Sequence, residues 1–132
     1  MAKYINPDIF DNGLASMATR ATAVVLIDSY STTFADVNGS LKVASAALVS
    51  GDFALADDTA PGSRKITAAI TGKAGGNALK SVADGTPMHI AIIDAGTSEV
   101  LLVTEESTDQ AILIGNPITF DANIVYTLNP PA

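Results

Sequence analysis

Short apolar stretches, each closed by Gly, Pro, Asn or Asp, follow one another from Ala21 to the end of the chain. "TAVVLIDSY" is a run of β-branched and aliphatic residues that ends in polar turn formers, which is the signature of a strand. "KVASAALV" (42–49) follows Asn38-Gly39, a strong turn signal. "RKITAAIT" (64–71) alternates, with Ile66, Ala68 and Ile70 on one face and Lys65, Thr67 and Thr71 on the other, as in a strand with one wet face. "MHIAIID" and "EVLLVTEE" flank the turn "DAGTS" and predict a β-hairpin, and "QAILI", "ITF" and "IVYTL" complete the series. "TGKAGGNALKSVADGTP" reads as a long glycine-rich connection with one further short strand inside it. "GDFALADDTAPGSR" reads as an acidic loop. Only the front of the chain changes period. Phe10, Leu14, Met17 and Ala18 share one helical face, which predicts a short helix over about 11–20 with Asn6 or Asp11 as its cap. An extended arm, residues 1–12, precedes it. Roughly eight or nine short strands behind a single helix predict an all-β antiparallel sandwich or barrel in one domain spanning 1–132.

Two of these strands break the usual alternation. "VVLI" and "VLLV" are apolar on both faces, with period two setting Val100 and Leu102 against Leu101 and Val103. A sandwich strand has one face towards water, so these need a second cover. The N-terminal helix, through Phe10, Leu14 and Met17, is one source of it; a neighbouring subunit is the other.

Composition strengthens the second possibility. Of the 132 residues 48% are hydrophobic but only 5% are aromatic, and 16% are charged. Mean hydropathy is +0.33. About a quarter of an ordinary soluble domain is charged. A small monomer has much surface to cover, so this shortage points to a subunit of an assembly, a dimer or trimer of like chains. The net charge of −7 excludes the usual nucleic-acid surface and disfavours anionic lipid. No cysteine is present, so disulfides and thiolate metal sites are ruled out. The apolar runs are too short to span a bilayer and the first ten residues lack a secretory signal, so synthesis in the cytoplasm is expected.

The chain's single histidine and several acids raise the question of catalysis. Within its strand His89 shares a face with Ala91 and Ile93, and Asp94 falls opposite, so the two do not converge; a surface or subunit-contact histidine is expected. Glu105 and Glu106 point to opposite faces and cannot act as a glycosidase pair. There is no G-x-S-x-G elbow. Asp52, Asp57 and Asp58, with Asp36 and Asn38, offer oxygen ligands in loops but lack the EF-hand spacing. "AGGNALKS" ends in Lys80-Ser81 like a phosphate loop, yet Leu79 and Ala74 stand where that motif needs glycines. No catalytic residue, cofactor or metal is expected.

"YINPDIFDNGLASMAT", "AVVLIDSYSTTFADV", "SRKITAAITG", the hairpin "HIAIIDAGTSEVLLVTEE" and the closing "ILIGNPITFDANIVYTLNPPA" together resemble the small decoration, or cement, proteins of tailed bacteriophage heads. The resemblance covers most of the chain but rests on glycines, turns and apolar alternation. It implies a jelly-roll-like β-sandwich without enzymatic activity. It also implies a place on the outer capsid surface of the virion, with the major capsid protein as partner. On that reading the arm is a tether that adds to a neighbour's sheet edge through Tyr4, Ile5 and Phe10, and Leu14 and Met17 of the helix join them as expected interface residues. The alternative is a carbohydrate- or receptor-binding β-sandwich of a fibre or adhesin, against which count the absence of Trp and the presence of only three tyrosines.

Overall fold

A computed structural model describes residues 4–5, 13–57, 63–106 and 110–128. Ten strands, two short α-helices and one turn of 3-10 helix (Ser50–Asp52) are found among them. In chain order they are β1 (Tyr4–Ile5), α1 (Ala15–Arg20), β2 (Ala23–Ile27), α2 (Phe34–Val37) and β3 (Lys42–Ala47), then β4 (Phe53–Asp57), β5 (Arg64–Ala68) and β6 (Ala74–Asn77). β7 (His89–Asp94), β8 (Glu99–Glu105), β9 (Pro117–Thr119) and β10 (Ile124–Leu128) follow. All pairings are antiparallel. Five strands form one sheet in the order β1-β8-β7-β2-β3, three form a second in the order β10-β5-β4, and β6 and β9 form a ribbon. The class is all-β and sandwich-like, as the strand spacing predicts. The described strands do not display the two four-stranded sheets of a jelly roll.

Most of the core lies between the two larger sheets. Val24, Leu26 and Ile92 from the five-stranded sheet meet Ile66, Ala68 and Ile124 from the three-stranded one. Leu14, at the N-cap of α1, and Met17 within it are buried in the same cluster. The far face of the five-stranded sheet holds a smaller cluster, in which Val25, Ile27, Ala91 and Ile93 are buried with Val37 of α2, and Phe34 and Leu41 pack on it. The second cover that "VVLI" requires therefore comes from the chain itself, and it comes from α2 rather than from the N-terminal helix. A four-residue helix is too short to leave a 3.6-residue period in the sequence, so the pattern gave no sign of it.

Three further expectations are corrected. The strand β8 does not alternate simply: Ile92 pairs with Leu102 but Ile93 pairs with Val100, which leaves Leu101 as an extra residue. This bulge puts Leu101 and Leu102 into the main core and Val100 and Val103 into the smaller cluster. The acidic "DFALAD" is not a loop but the edge strand β4, pairing residue for residue with β5. "QAILI" contributes a single bridge, Val82 to Ile112, rather than a strand. The glycine-rich connection does contain its short strand, β6, and Gly75 explains part of its composition. A Cβ there would stand 3.2 Å from that of Ala44 and 3.3 Å from the Phe120 ring, so only glycine lets the ribbon lie this close to β3.

Candidate functional site

The hairpin of β7 and β8 carries the polar residues that first suggest chemistry, and the most heavily bonded of them, Asp94, is committed to holding the fold. At its tip the Asp94 carboxylate accepts hydrogen bonds from the Gly96 and Thr97 backbone N–H groups (2.9 and 3.4 Å) and from the Thr97 hydroxyl (2.9 Å). These are the local bonds of an Asx turn. A fourth comes from Arg20 Nε at 3.1 Å. The same guanidinium donates through Nη2 to Glu99 at 2.8 Å and to Thr97 at 3.1 Å, so the last residue of α1 clasps the turn. Thr22 adds to the clasp, donating to the Ile93 carbonyl and accepting from Ala95 N–H. Burial raises the pKa of Asp94, but the Thr97 hydroxyl, Arg20 and the two turn amides outweigh it and hold the carboxyl below its ordinary value. A carboxylate so lowered and so fully bonded is a poor general acid or base.

His89 is not at the surface. It is 6% exposed, paired between Ile27 on β2 and Glu105 on β8, with the Tyr30 ring edge-on at 5.6 Å. Among the described residues its Nδ1 has no hydrogen-bond partner, so no carboxylate orients it as a triad or dyad needs. The acids of the loops are spoken for as well. Asp52 accepts from Val49 N–H at 2.9 Å and pairs with Lys73 at 3.3 Å; the Val49 bond, opposed by burial and aided by Lys73, lowers its pKa. Asp57 pairs with Arg64 across β4 and β5 at 2.7 Å, and Ser31 donates to Asp36. Asp58 lies outside the described residues. No cluster of three metal-binding side chains occurs among the described residues. Lys80 of the supposed phosphate loop is bound to Asp28 and to the Ser40 carbonyl, which fixes the loop against the end of β2.

The expected contact residues divide three ways. Leu14 and Met17 are buried in the chain's own core, a correction to their reading as partner contacts, because α1 turns its apolar face inward. Phe10 lies outside the described residues, as do Asn6 and Asp11. Tyr4 and Ile5 form β1, whose backbone pairs with Val103 and Leu102 on the outer side of β8.

What the sequence reading missed is a ridge on two cross-linked loops. Leu79, Leu113 and Ile114 are 58, 66 and 65% exposed. Their loops are stitched together by Ala78 N–H to Asn116 O (2.7 Å), Gly115 N–H to Ala78 O (2.8 Å) and Ile114 N–H to Ser81 Oγ (2.9 Å). The signal was present: "LIGNP" puts two large aliphatics directly before turn residues, where polar side chains are usual.

A second surface feature is a cleft at the open side of the sandwich. It consists of two adjoining cavities of about 140 and 250 Å³ that share Ile90, Glu106 and Ala122. Compared with known proteins, the chain matches no family model, no curated protein and no solved structure.

Proposed function

We propose that the chain is a non-enzymatic virion protein that sits on the outer surface of a phage head and bridges its capsid subunits. The observation that carries this reading is the ridge of Leu79, Leu113 and Ile114, three large aliphatics exposed on loops that hydrogen bonds hold rigid. Such residues lose little entropy on binding and gain about 1.5–3 kcal/mol each when fully covered. The resemblance of the sequence to decoration proteins, the sandwich-like all-β class and the low charged fraction support the same reading. So does β1, which occupies two positions on β8, a strand of seven residues, and can exchange that short pairing for another edge. Repetition over a closed shell turns contacts of this size into firm attachment.

The test is co-sedimentation with undecorated heads of the phage that encodes the chain. Wild type binds, and the Leu113→Ser, Ile114→Ser double variant binds at least tenfold more weakly with an unchanged unfolding midpoint. Removal of residues 1–12 weakens binding further. Wild type that fails to bind heads removes the capsid reading; variants that bind with full affinity remove the ridge and the arm from it. A glycan array examines the receptor-binding alternative, for which the half-exposed Tyr30 is committed to His89 and offers no paired aromatic platform.

A further inference from the structure

The open side of β4 presents a definite set of backbone groups. Ala69 N–H donates to the Asp52 carbonyl at 2.8 Å, one step beyond the pair Phe53–Ala68, and so marks a hydrogen-bonded pair of the ladder between β4 and β5. Bonded and non-bonded pairs alternate along an antiparallel ladder. Ala54 and Ala56 therefore turn their backbone groups to β5. Phe53, Leu55 and Asp57 turn theirs to the open side, with which no described strand pairs. Phe53 N–H is already given to the Ser50 carbonyl. The edge is left with the Phe53 carbonyl and both groups of Leu55 and of Asp57.

Side chains follow the same alternation. Leu55 lies opposite the buried Ile66 and shares its face, yet it stays exposed at the limit of the sheet. The one charged residue of the strand, Asp57, stands two places from Leu55 and is paired with Arg64 at 2.7 Å.

We infer that two copies of the chain join antiparallel through β4, Leu55 against Leu55, and merge their three-stranded sheets into one. With the two-fold axis at Leu55, that residue exchanges both its bonds with its counterpart. The Asp57 N–H of each copy reaches the Phe53 carbonyl of the other, about four bonds in all. The Asp57 carbonyl stays in solvent at the end of the pairing. The two exposed leucines cover each other and extend the apolar row of Ile66. This register also keeps the two Asp57 residues about 14 Å apart along the strand, beyond a Debye length of about 8 Å, whereas a parallel pairing sets them side by side. The paired segment is about 17 Å long and buries less than the roughly 1,200 Å² of a standard interface, so the dimer is weak and exchanges. A two-fold contact closes at two copies, which selects the dimer over the trimer. The inference stands apart from the capsid reading, since it concerns the chain without heads.

Sedimentation equilibrium of the full chain, from micromolar to millimolar concentration, tests it. Wild type passes from monomer to dimer, and NMR over the same range shows the Leu55 and Asp57 amides gaining protection from exchange. Leu55→Pro removes only an outward N–H, and Leu55→Lys brings two cations together on the axis. Each raises the dissociation constant at least tenfold with an unchanged circular dichroism spectrum. Leu113→Ser with Ile114→Ser leaves the dimer intact. If Leu55→Pro disturbs the fold, Leu55→Lys carries the test alone. A monomer at millimolar concentration overturns the inference. So does a trimer, a dimer untouched by Leu55→Lys, or a dimer lost in the Leu113, Ile114 variant.

Discussion

Ile92 and Leu55 occupy the middle of their strands, yet one is fully buried and the other 43% exposed. The contrast extends to the sheets that hold them. In the five-stranded sheet β2 and β7 have strands on both sides and apolar clusters on both faces. In the three-stranded sheet the described residues cover the inner face alone, through Ile66, Ala68 and Ile124, while β4 is an edge exposed over most of its length. β4 lacks lysine, proline and a bulge, and the exposed Asp57 at its end, paired with Arg64, is its one charged side chain. The two sheets thus differ in kind: one has apolar cover on both faces, and the other, among the described residues, on its inner face. The ridge belongs with the first, since Leu79 N–H donates to the Val43 carbonyl on β3.

Truncation is the strongest way to break the comparison. Ile92→Ala should cost about 3–4 kcal/mol in denaturant unfolding, because it deletes fully packed methylenes. Leu55→Ala should cost under about 1 kcal/mol. Equal losses would mean that the two sheets share stability evenly. Next in size is the clasp. Asp94→Asn leaves Arg20 without its most buried partner and should cost about 2 kcal/mol; a double-mutant cycle with Arg20→Ala should show clear coupling.

Acid sharpens the same point. The carboxyls of Asp94 and Asp52 are held below their ordinary values in the folded chain. A carboxyl with a lowered folded pKa contributes stability that is complete above its unfolded pKa, about 3.9, and is lost as pH falls through the folded value. Stability should therefore be level from about pH 5 to 7 and decline below about pH 4. Asp94→Asn should flatten that decline; an unchanged acid limb in thermal melts would show that the clasp is not its source. The smallest effect is expected on the wet face. Val125→Thr should change stability by no more than about 0.5 kcal/mol, while altering any binding at the cleft it borders.

The class of the fold was legible because period two survives wherever one face is wet, as in Arg64–Ala68, and because turn residues bracket each strand. It failed where physics leaves no period. The helix α2 spans one turn, β4 is exposed on most positions, and the bulge at Leu101 resets the faces of β8 without any mark in a run of four aliphatics. His89 illustrates a different gap. Its face was read correctly, but whether that face is covered depends on Tyr30 and α2, which reach it through tertiary folding. The contact surface was the least legible part. The helical face of Leu14 and Met17 is apolar whichever way it turns, and only packing shows that it turns inward.

The Arg20 clasp also sets a timetable. Its acceptor on the hairpin lies 74 residues further along the chain. At about 5–20 residues per second of synthesis, the helix waits roughly 4–15 s for Asp94 to emerge. The first strand waits longer still, because its places on β8 are opposite Leu102 and Val103. Both the end of α1 and β1 thus take up their places only once the hairpin has been made, so a contact that secures the fold is also one of its late steps.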